Sequence, residues 1–487
     1  MKLNLQTYRD KVHACWIGKN IGGTMGAPYE GWREFLDVKG FITEKDVVLP
    51  NDDLDLQLVW LHAVEMRGAK AINEQLLGEF WLSFVTPHWA EYGLCKNNMK
   101  MGIHPPLCGD AFTTWKDSNG AWIRTEIWAC LAPASPEIAT KYAYCDGCVD
   151  HGANGEGTVA AVFFAALESA AFVVSDIRKL LELGLTFIPE NSRVAQSVRT
   201  VMKCYDEDTD YETARNIILK MNADIGDGWF EAPSNVAYAV IGLLYGEGDF
   251  KKSMICAINC GDDTDCTAAT VGSILGIMGG TAALPEDWRE HIGDGISTMS
   301  IALGTLRVLP QNCSELTDRV ERVAYGMLYD NRAKVALSET PSEIPDGVYT
   351  DMLNVAKRTN YFDRPSYAYT IDFMHTRATV MLPSDPKIGP LQTLKFKIRF
   401  AQNRDILGEG ESAPYFLRLR WWLPEGFAVK GERTLLLPQH NRHTDGTVEA
   451  EFEIVAPETL EPLNRLVLEV TAEGRLTVGY VPITLLG

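Results

Sequence analysis

Two short acidic stretches hold the residues best suited to chemistry. Asp262-Asp263-Thr264-Asp265 places three carboxylates within four residues, and Asp52-Asp53-Leu54-Asp55 does the same earlier in the chain. Each runs into an apolar segment at helical spacing: Leu54, Leu58 and Leu61 after the first, and Ala268 to Gly280 after the second. One Asp at a helix N-terminus is a cap, because its oxygen accepts an unpaired N–H and its charge suits the dipole. Three cannot all cap, and they repel one another unless a cation sits among them; hard divalent cations are held by clustered carboxylate oxygens. First-turn positions converge on a point beyond the helix end. Two such mouths facing each other make an oxygen-rich cage for one or two divalent cations, with Asp52, Asp53, Asp263 and Asp265 as ligands.

Other candidates are single groups in glycine-rich loops. Gly18, Gly22, Gly23 and Gly26 lead to Ala27-Pro28-Tyr29-Glu30-Gly31-Trp32, where Glu30 is the only charged side chain between Lys19 and Arg33. Such a glutamate is either solvated or an acid facing a pocket, and the residues alone leave both open. Asp150-His151-Gly152-Ala153-Asn154-Gly155-Glu156-Gly157 is a turn ahead of an apolar helix from Thr158 to Val174, and backbone N–H groups at such a turn can cradle an anion. Between Phe80 and Trp128 aromatic side chains recur in a long, Gly- and Pro-containing stretch, as walls of a binding site or as core. Arg124 in this stretch could hold a phosphate or pair with one of the surplus carboxylates, and pairing is the expectation. Cys145, Cys148 and His151 have zinc-like spacing without a second pair, so they read as packing groups.

The elements that must position these groups are mostly helices. Leu5, Tyr8, Val12 and Cys15 mark an amphipathic first helix. Further helical periodicity falls near 194–205, 211–222, 235–246, 296–308 and 315–329. Gly272 and Gly276 inside the apolar run after Asp265 suit a buried helix in close backbone contact rather than a membrane span, since the run is short and its entrance acidic. Past residue 340 the texture changes. Leu394-Lys395-Phe396-Lys397-Ile398-Arg399-Phe400 and Thr447 to Ile454 alternate with period two, the mark of a half-buried antiparallel sheet. The fold class expected is therefore mainly α, a helical domain over residues 1–340 followed by a β-sandwich over 346–487. A net charge of −20 opposes nucleic-acid or anionic-membrane binding through a basic face. Eleven scattered cysteines and no N-terminal apolar run fit reduced thiols in a cytoplasmic protein.

Four blocks, taken in order, resemble the ADP-ribosylglycohydrolases: Gly18 through Glu30, Asn51-Asp52-Asp53-Leu54, Asp150-His151 with its glycines, and Gly261-Asp262-Asp263-Thr264-Asp265-Cys266-Thr267. The resemblance covers roughly residues 8–330. It implies an all-helical domain, two Mg²⁺ or Mn²⁺ ions between the acidic motifs, and cleavage of a ribosyl glycosidic bond in an ADP-ribosylated protein or small molecule. Alternatives are another glycoside or nucleoside as substrate, or an ADP-ribose-binding protein without turnover. It further implies that Glu30, Asp53 and Asp263 are catalytic, and that Asp150, His151, Gly152, Asn154 and Gly155 lie at the substrate. Asn51, Asp52, Asp53, Asp263, Asp265, Cys266 and Thr267 would surround the metals. Asn51 and Leu54 stand where the pattern has threonines, and Cys266 where it has a Thr or Ser ligand. A thiol is a soft ligand poorly suited to Mg²⁺, so either Thr267 or water supplies that oxygen, or the second metal is weakened.

Overall fold

The computed structural model describes residues 1–226, 230–302, 306, 308–404, 410 and 412–487. The chain divides into two compact units. One comprises Met1–Gly93 and Thr113–Asp363, the other Leu94–Phe112 and Arg364–Gly487.

The first unit is built on two buried helices, Leu5–Gly26 and Thr264–Gly279. A Cβ at Gly18 would overlap the backbone of Gly272, and one at Gly22 the backbone of Ala268. Gly26 likewise faces Thr264 and Asp265, and Gly276 faces Ala14. The four-residue glycine spacing in both helices is thus the spacing of their contact ridge, and any larger residue would push the backbones apart. Glu156–Ala171 and Ala232–Tyr245, apolar on all sides, pack against Thr264–Gly279, as a helix without a polar face must. Helices at Arg193–Asp206, Tyr211–Met221 and Cys313–Asp330 match the periodicity in the sequence.

The segment near 296–308 does not become a helix over 296–302, and 303–305 and 307 lie outside the described residues. Its backbone is claimed by tertiary partners. Met299 and Ser300 both donate their N–H to Asp55 Oδ2 at 2.6 Å, and Ala302 donates to Phe84 O at 2.8 Å. The unit is not wholly helical either, because Lys2–Asn4 pairs in parallel with Ala336–Ser338. No helix among the described residues is long and apolar enough to cross a membrane, and none of the eleven cysteines is in a disulfide.

The second unit holds a five-stranded sheet in the order 368–372, 376–381, 393–402, 447–455, 428–431, and a four-stranded one in the order 478–486, 463–472, 415–422, 434–437. Neighbouring strands in both are antiparallel. The alternation seen in the sequence is the burial pattern: Phe396, Ile398 and Phe400 point inward while Lys395, Lys397 and Arg399 point out. Together with Phe452 and Ile454 they share one core with Leu417, Leu466, Leu468 and Ile483 of the other sheet. Ile103, Leu107 and Cys108 enter the same core, and His104 stacks on Tyr369 with centroids 5.2 Å apart.

Candidate functional site

Glu30 and Asp263 are brought together by a short backbone bridge. Gly31 donates its N–H to Asp262 O at 2.8 Å, and Asp262 donates to Trp32 O at 2.6 Å. To make this bridge Asp262 adopts φ +66°, a left-handed conformation that costs a non-glycine residue about 1–2 kcal/mol. Its carboxylate recovers part of that cost by accepting Asn235 Nδ2 at 3.0 Å. The second mouth is set by Asn51, whose Oδ1 caps the Asp52–Arg67 helix by accepting the Asp53 N–H at 2.7 Å.

Oxygens of Glu30, Asp263 and Asp265 lie within 4.8 Å of one another, as do ligand atoms of Asp53, Asp265 and Cys266. Cation–oxygen bonds of about 2.0–2.6 Å put opposing ligands at this separation. Asp53 Oδ2, Asp263 Oδ1 and Asp265 Oδ1 are buried and accept no hydrogen bond, on residues only 0%, 3% and 6% exposed. An unsatisfied buried carboxylate oxygen is costly, and the meeting of Asp263 and Asp265 with Glu30 suits a divalent cation. Asp263 and Asp265 line a cavity of about 480 Å³ together with Asp52, Glu91, Trp89, Tyr92, Trp115 and Phe230, whereas Asp53, named from the sequence as catalytic, is fully buried behind it.

The electrostatics follow from this crowding. The Asp265 charge, then partial desolvation, then Asp52 push the Glu30 carboxyl up to about 8. Burial first, and then the neighbouring carboxylates, hold Asp263 well above the ordinary range. Asp53 is raised in the same way, chiefly by burial, against the opposing pull of Lys19. Burial also raises Asp52, which accepts Tyr92 OH at 2.9 Å. Burial followed by the surrounding carboxylates keeps the Cys266 thiol protonated, and its S–H donates to Asp53 Oδ1 at 3.2 Å.

Carboxyls raised in the fold bind protons that the unfolded chain releases near pH 4, so stability without a cation is greatest below that range and falls as pH rises through the folded values. With Glu30 near 8 and Asp55, raised mainly by burial, near 7, the unfolding midpoint of cation-free protein should drop between about pH 5 and about pH 8. Added Mg²⁺ should restore it most at the upper end, because ligands must be deprotonated to bind. Differential scanning fluorimetry over this range, with chelator or Mg²⁺, checks both slopes; a flat chelated profile would contradict them.

Several residues act one layer behind the cavity. Asp150 and His151 do not line it. Asp150 is engaged by Arg124, Nη2 to Oδ1 and Nη1 to Oδ2, both at 2.9 Å, and the same guanidinium grips Asp146. Arg124 thus pairs with carboxylates, as its sequence setting suggested. Ala121 N–H donates to His151 Nε2 at 3.0 Å, so Nδ1 carries the proton and donates to Lys116 O at 3.1 Å. Gly152 O accepts the Thr158 hydroxyl, Gly155 packs without room for a Cβ against His151 O and Lys116 O, and Asn154 is exposed. This turn therefore braces the 116–121 segment that carries Asn119 and Gly120 to the cavity. Thr267, fully buried, donates to Thr264 O at 3.3 Å and is absent from the cavity lining.

Sequence reasoning missed the partners that orient the acids. Asn119 Nδ2 donates to Asp263 Oδ2 at 2.6 Å, and Asn235 Oδ1 accepts the Asp263 N–H at 3.2 Å. Lys19, 1% exposed within the first helix, donates to Glu126 Oε1 at 2.7 Å and to Ile123 O at 2.8 Å, with Asp53 Oδ2 at 3.6 Å. Burial works against its charge, but Glu126 and Asp53 outweigh it and hold the ammonium above its ordinary range.

Residues 4–322 match the sequence pattern of the ADP-ribosylglycohydrolase family, "ADP_ribosyl_GH". The chain belongs to this family. It is 26% identical over 305 residues to an uncharacterized protein of Archaeoglobus fulgidus, covering 58% of this chain and 92% of that one. A solved structure described as an ADP-ribosylglycohydrolase-related protein complex is 19% identical, with a TM-score of 0.44, over 67% of this chain and 99% of its own. A FixG-related protein from Vibrio parahaemolyticus matches 24% of this chain and 97% of its own at 8% identity and a TM-score of 0.18. Membership supports a glycosyl-hydrolase type of activity. Residues 364–487, which hold both sheets of the second unit, lie beyond the matched residues.

Proposed function

We propose that the chain is a divalent-cation-dependent hydrolase that cleaves a glycosidic bond at the anomeric carbon of a ribose, with an ADP-ribosylated protein or small molecule as substrate. The observation that carries this reading is the meeting of Glu30, Asp263 and Asp265 at the aromatic-walled cavity, within 4.8 Å of one another. Mg²⁺ or Mn²⁺ held by the Asp residues would supply a grip on the ribose hydroxyls and would offset the repulsion between an anionic substrate and the acidic pocket.

Cleavage at C1 passes through an oxocarbenium-like state. The carboxylates of Asp52, Asp263 and Asp265 surround that developing positive charge with negative potential. Glu30, exposed at the cavity mouth, moves the proton, taking it from the attacking water or giving it to the leaving group. Trp89, Trp115 and Phe230 offer faces against which a base or a planar leaving group stacks. Asn119 and Asn235 hold Asp263 in place.

Glu30→Gln keeps the shape of the side chain and removes its proton transfer. We expect kcat to fall by about 10²–10⁴-fold, with the number of cations bound per chain unchanged. Steady-state kinetics with calorimetric Mn²⁺ titration measures both. An unchanged kcat would take Glu30 out of the mechanism. Tight ADP-ribose binding without turnover in the unsubstituted protein would instead favour a binding role.

A further inference from the structure

The two groups of converging ligand atoms that contain Asp265 are not equivalent. In the one formed by Glu30, Asp263 and Asp265, Asp263 Oδ1 and Asp265 Oδ1 are buried and accept no hydrogen bond. In the other, Asp53 Oδ2 likewise accepts no hydrogen bond, but a cationic side chain of the protein already stands beside it. Asp53 Oδ1 accepts the Cys266 thiol at 3.2 Å, and Lys19 Nζ stands 3.6 Å from Oδ2. Lys19 is not free to swing away. Two of its three N–H bonds are spent on Glu126 Oε1 at 2.7 Å and Ile123 O at 2.8 Å. Glu126 is fixed in turn by Gln57 Nε2 at 2.8 Å, whose Oε1 accepts the Ile127 N–H at 2.7 Å. Lys19 is itself only 1% exposed.

We propose that the site takes one divalent cation, at Asp263 and Asp265 within reach of Glu30, and that the buried Lys19 ammonium stands beside Asp53 where a second cation would otherwise go. The inference rests on the cation-dependent reading of this pocket. Like charges a few ångströms apart in a poorly solvated interior repel strongly, and sulfur is a soft ligand poorly suited to a hard cation. The lysine performs part of the service of a second ion: it compensates Asp53 and fixes the start of the Asp52–Arg67 helix without having to be bound from solution. Cys266 then sits at its position without penalty, as a donor to Asp53 rather than a ligand.

The test is a count of Mn²⁺ per chain on the full-length protein, by isothermal calorimetry and by electron paramagnetic resonance, which distinguishes an isolated ion from a coupled pair. One equivalent with an uncoupled spectrum is expected. Two equivalents, or a coupled spectrum, would overturn the inference while leaving the cation-dependent function standing; no binding at all would overturn both. Lys19→Met combined with Cys266→Thr should admit a second equivalent, and a folded double variant that still binds one ion would contradict the role given to Lys19. If that variant does not fold, the unsubstituted protein and Cys266→Thr alone decide: both should bind one ion, and a second ion in Cys266→Thr would show that Lys19 excludes nothing.

Discussion

Asp263→Ala should abolish cation-induced stabilisation and lower kcat/KM by about 10³-fold or more, the several kcal/mol of transition-state stabilisation that a metal ligand underwrites. The same substitution should make the cation-free protein more stable at pH 8. Asp263 is 3% exposed, its Oδ1 has no hydrogen-bond partner, and Asp265 and Glu30 both disfavour its charge. Removing an uncompensated carboxylate relieves that repulsion at the cost of one partner for Asn119 Nδ2. Stability given up for a functional site is a common trade. Thermal unfolding with and without Mg²⁺, read beside turnover, checks both halves. A variant that keeps its Mg²⁺ response would place the cation elsewhere.

Arg124→Met should be the most damaging single change to the first unit. The guanidinium is fully buried, pairs with both Asp146 and Asp150, donates to Gly120 O, and lies 5.2 Å from the ring centroid of Trp81. Its loss strands two buried carboxylates, and breaking a buried pair in this way costs about 3–5 kcal/mol. Arg124→Lys should recover little, because one ammonium cannot reproduce the fork that spans two carboxylates. Since Asp150 and Gly120 belong to the scaffold beneath Asn119, the cavity should distort along with the stability loss. Denaturant unfolding and hydrogen exchange across residues 113–155 measure the effect. A loss below about 1 kcal/mol, the size expected of an exposed pair, would contradict the account.

What could be read from the sequence divides along physical lines. The acidic mouths were visible because Asp has a strong positional meaning at helix starts, and three in four residues exceed what capping explains. The ridge at Gly272 and Gly276 was visible because small residues at four-residue spacing have few other uses. Gly18, Gly22, Gly23 and Gly26, by contrast, read as loop glycines and instead lie within the Leu5–Gly26 helix, where they let it approach its neighbour. The strands announced themselves through period two. Lys19 was not visible: within an otherwise buried glycine-rich helix a lysine carries no periodic signal, and its partners Glu126 and Asp53 lie 107 and 34 positions away. Asn119 and Asn235 were hidden for the same reason, as amides are common in loops and only the fold brings them to Asp263. The 296–302 stretch shows the converse, an amphipathic pattern overridden because Asp55, a carboxylate from the same acidic cluster, takes the N–H groups of Met299 and Ser300.

The central claim is that the carboxylates meeting at the cavity make a cation-dependent glycosidic hydrolase. The most direct measurement is mass-spectrometric detection of free ribosyl product from a panel of ADP-ribosylated peptides, ADP-ribosylated small molecules and simple ribosides, with saturating Mg²⁺ or Mn²⁺ and again after chelation. The account predicts release of ADP-ribose with the metal, its loss on chelation, and its loss in Asp263→Ala. Equal release with and without the metal, or none from any ribosyl compound under saturating Mg²⁺ and Mn²⁺, would contradict it.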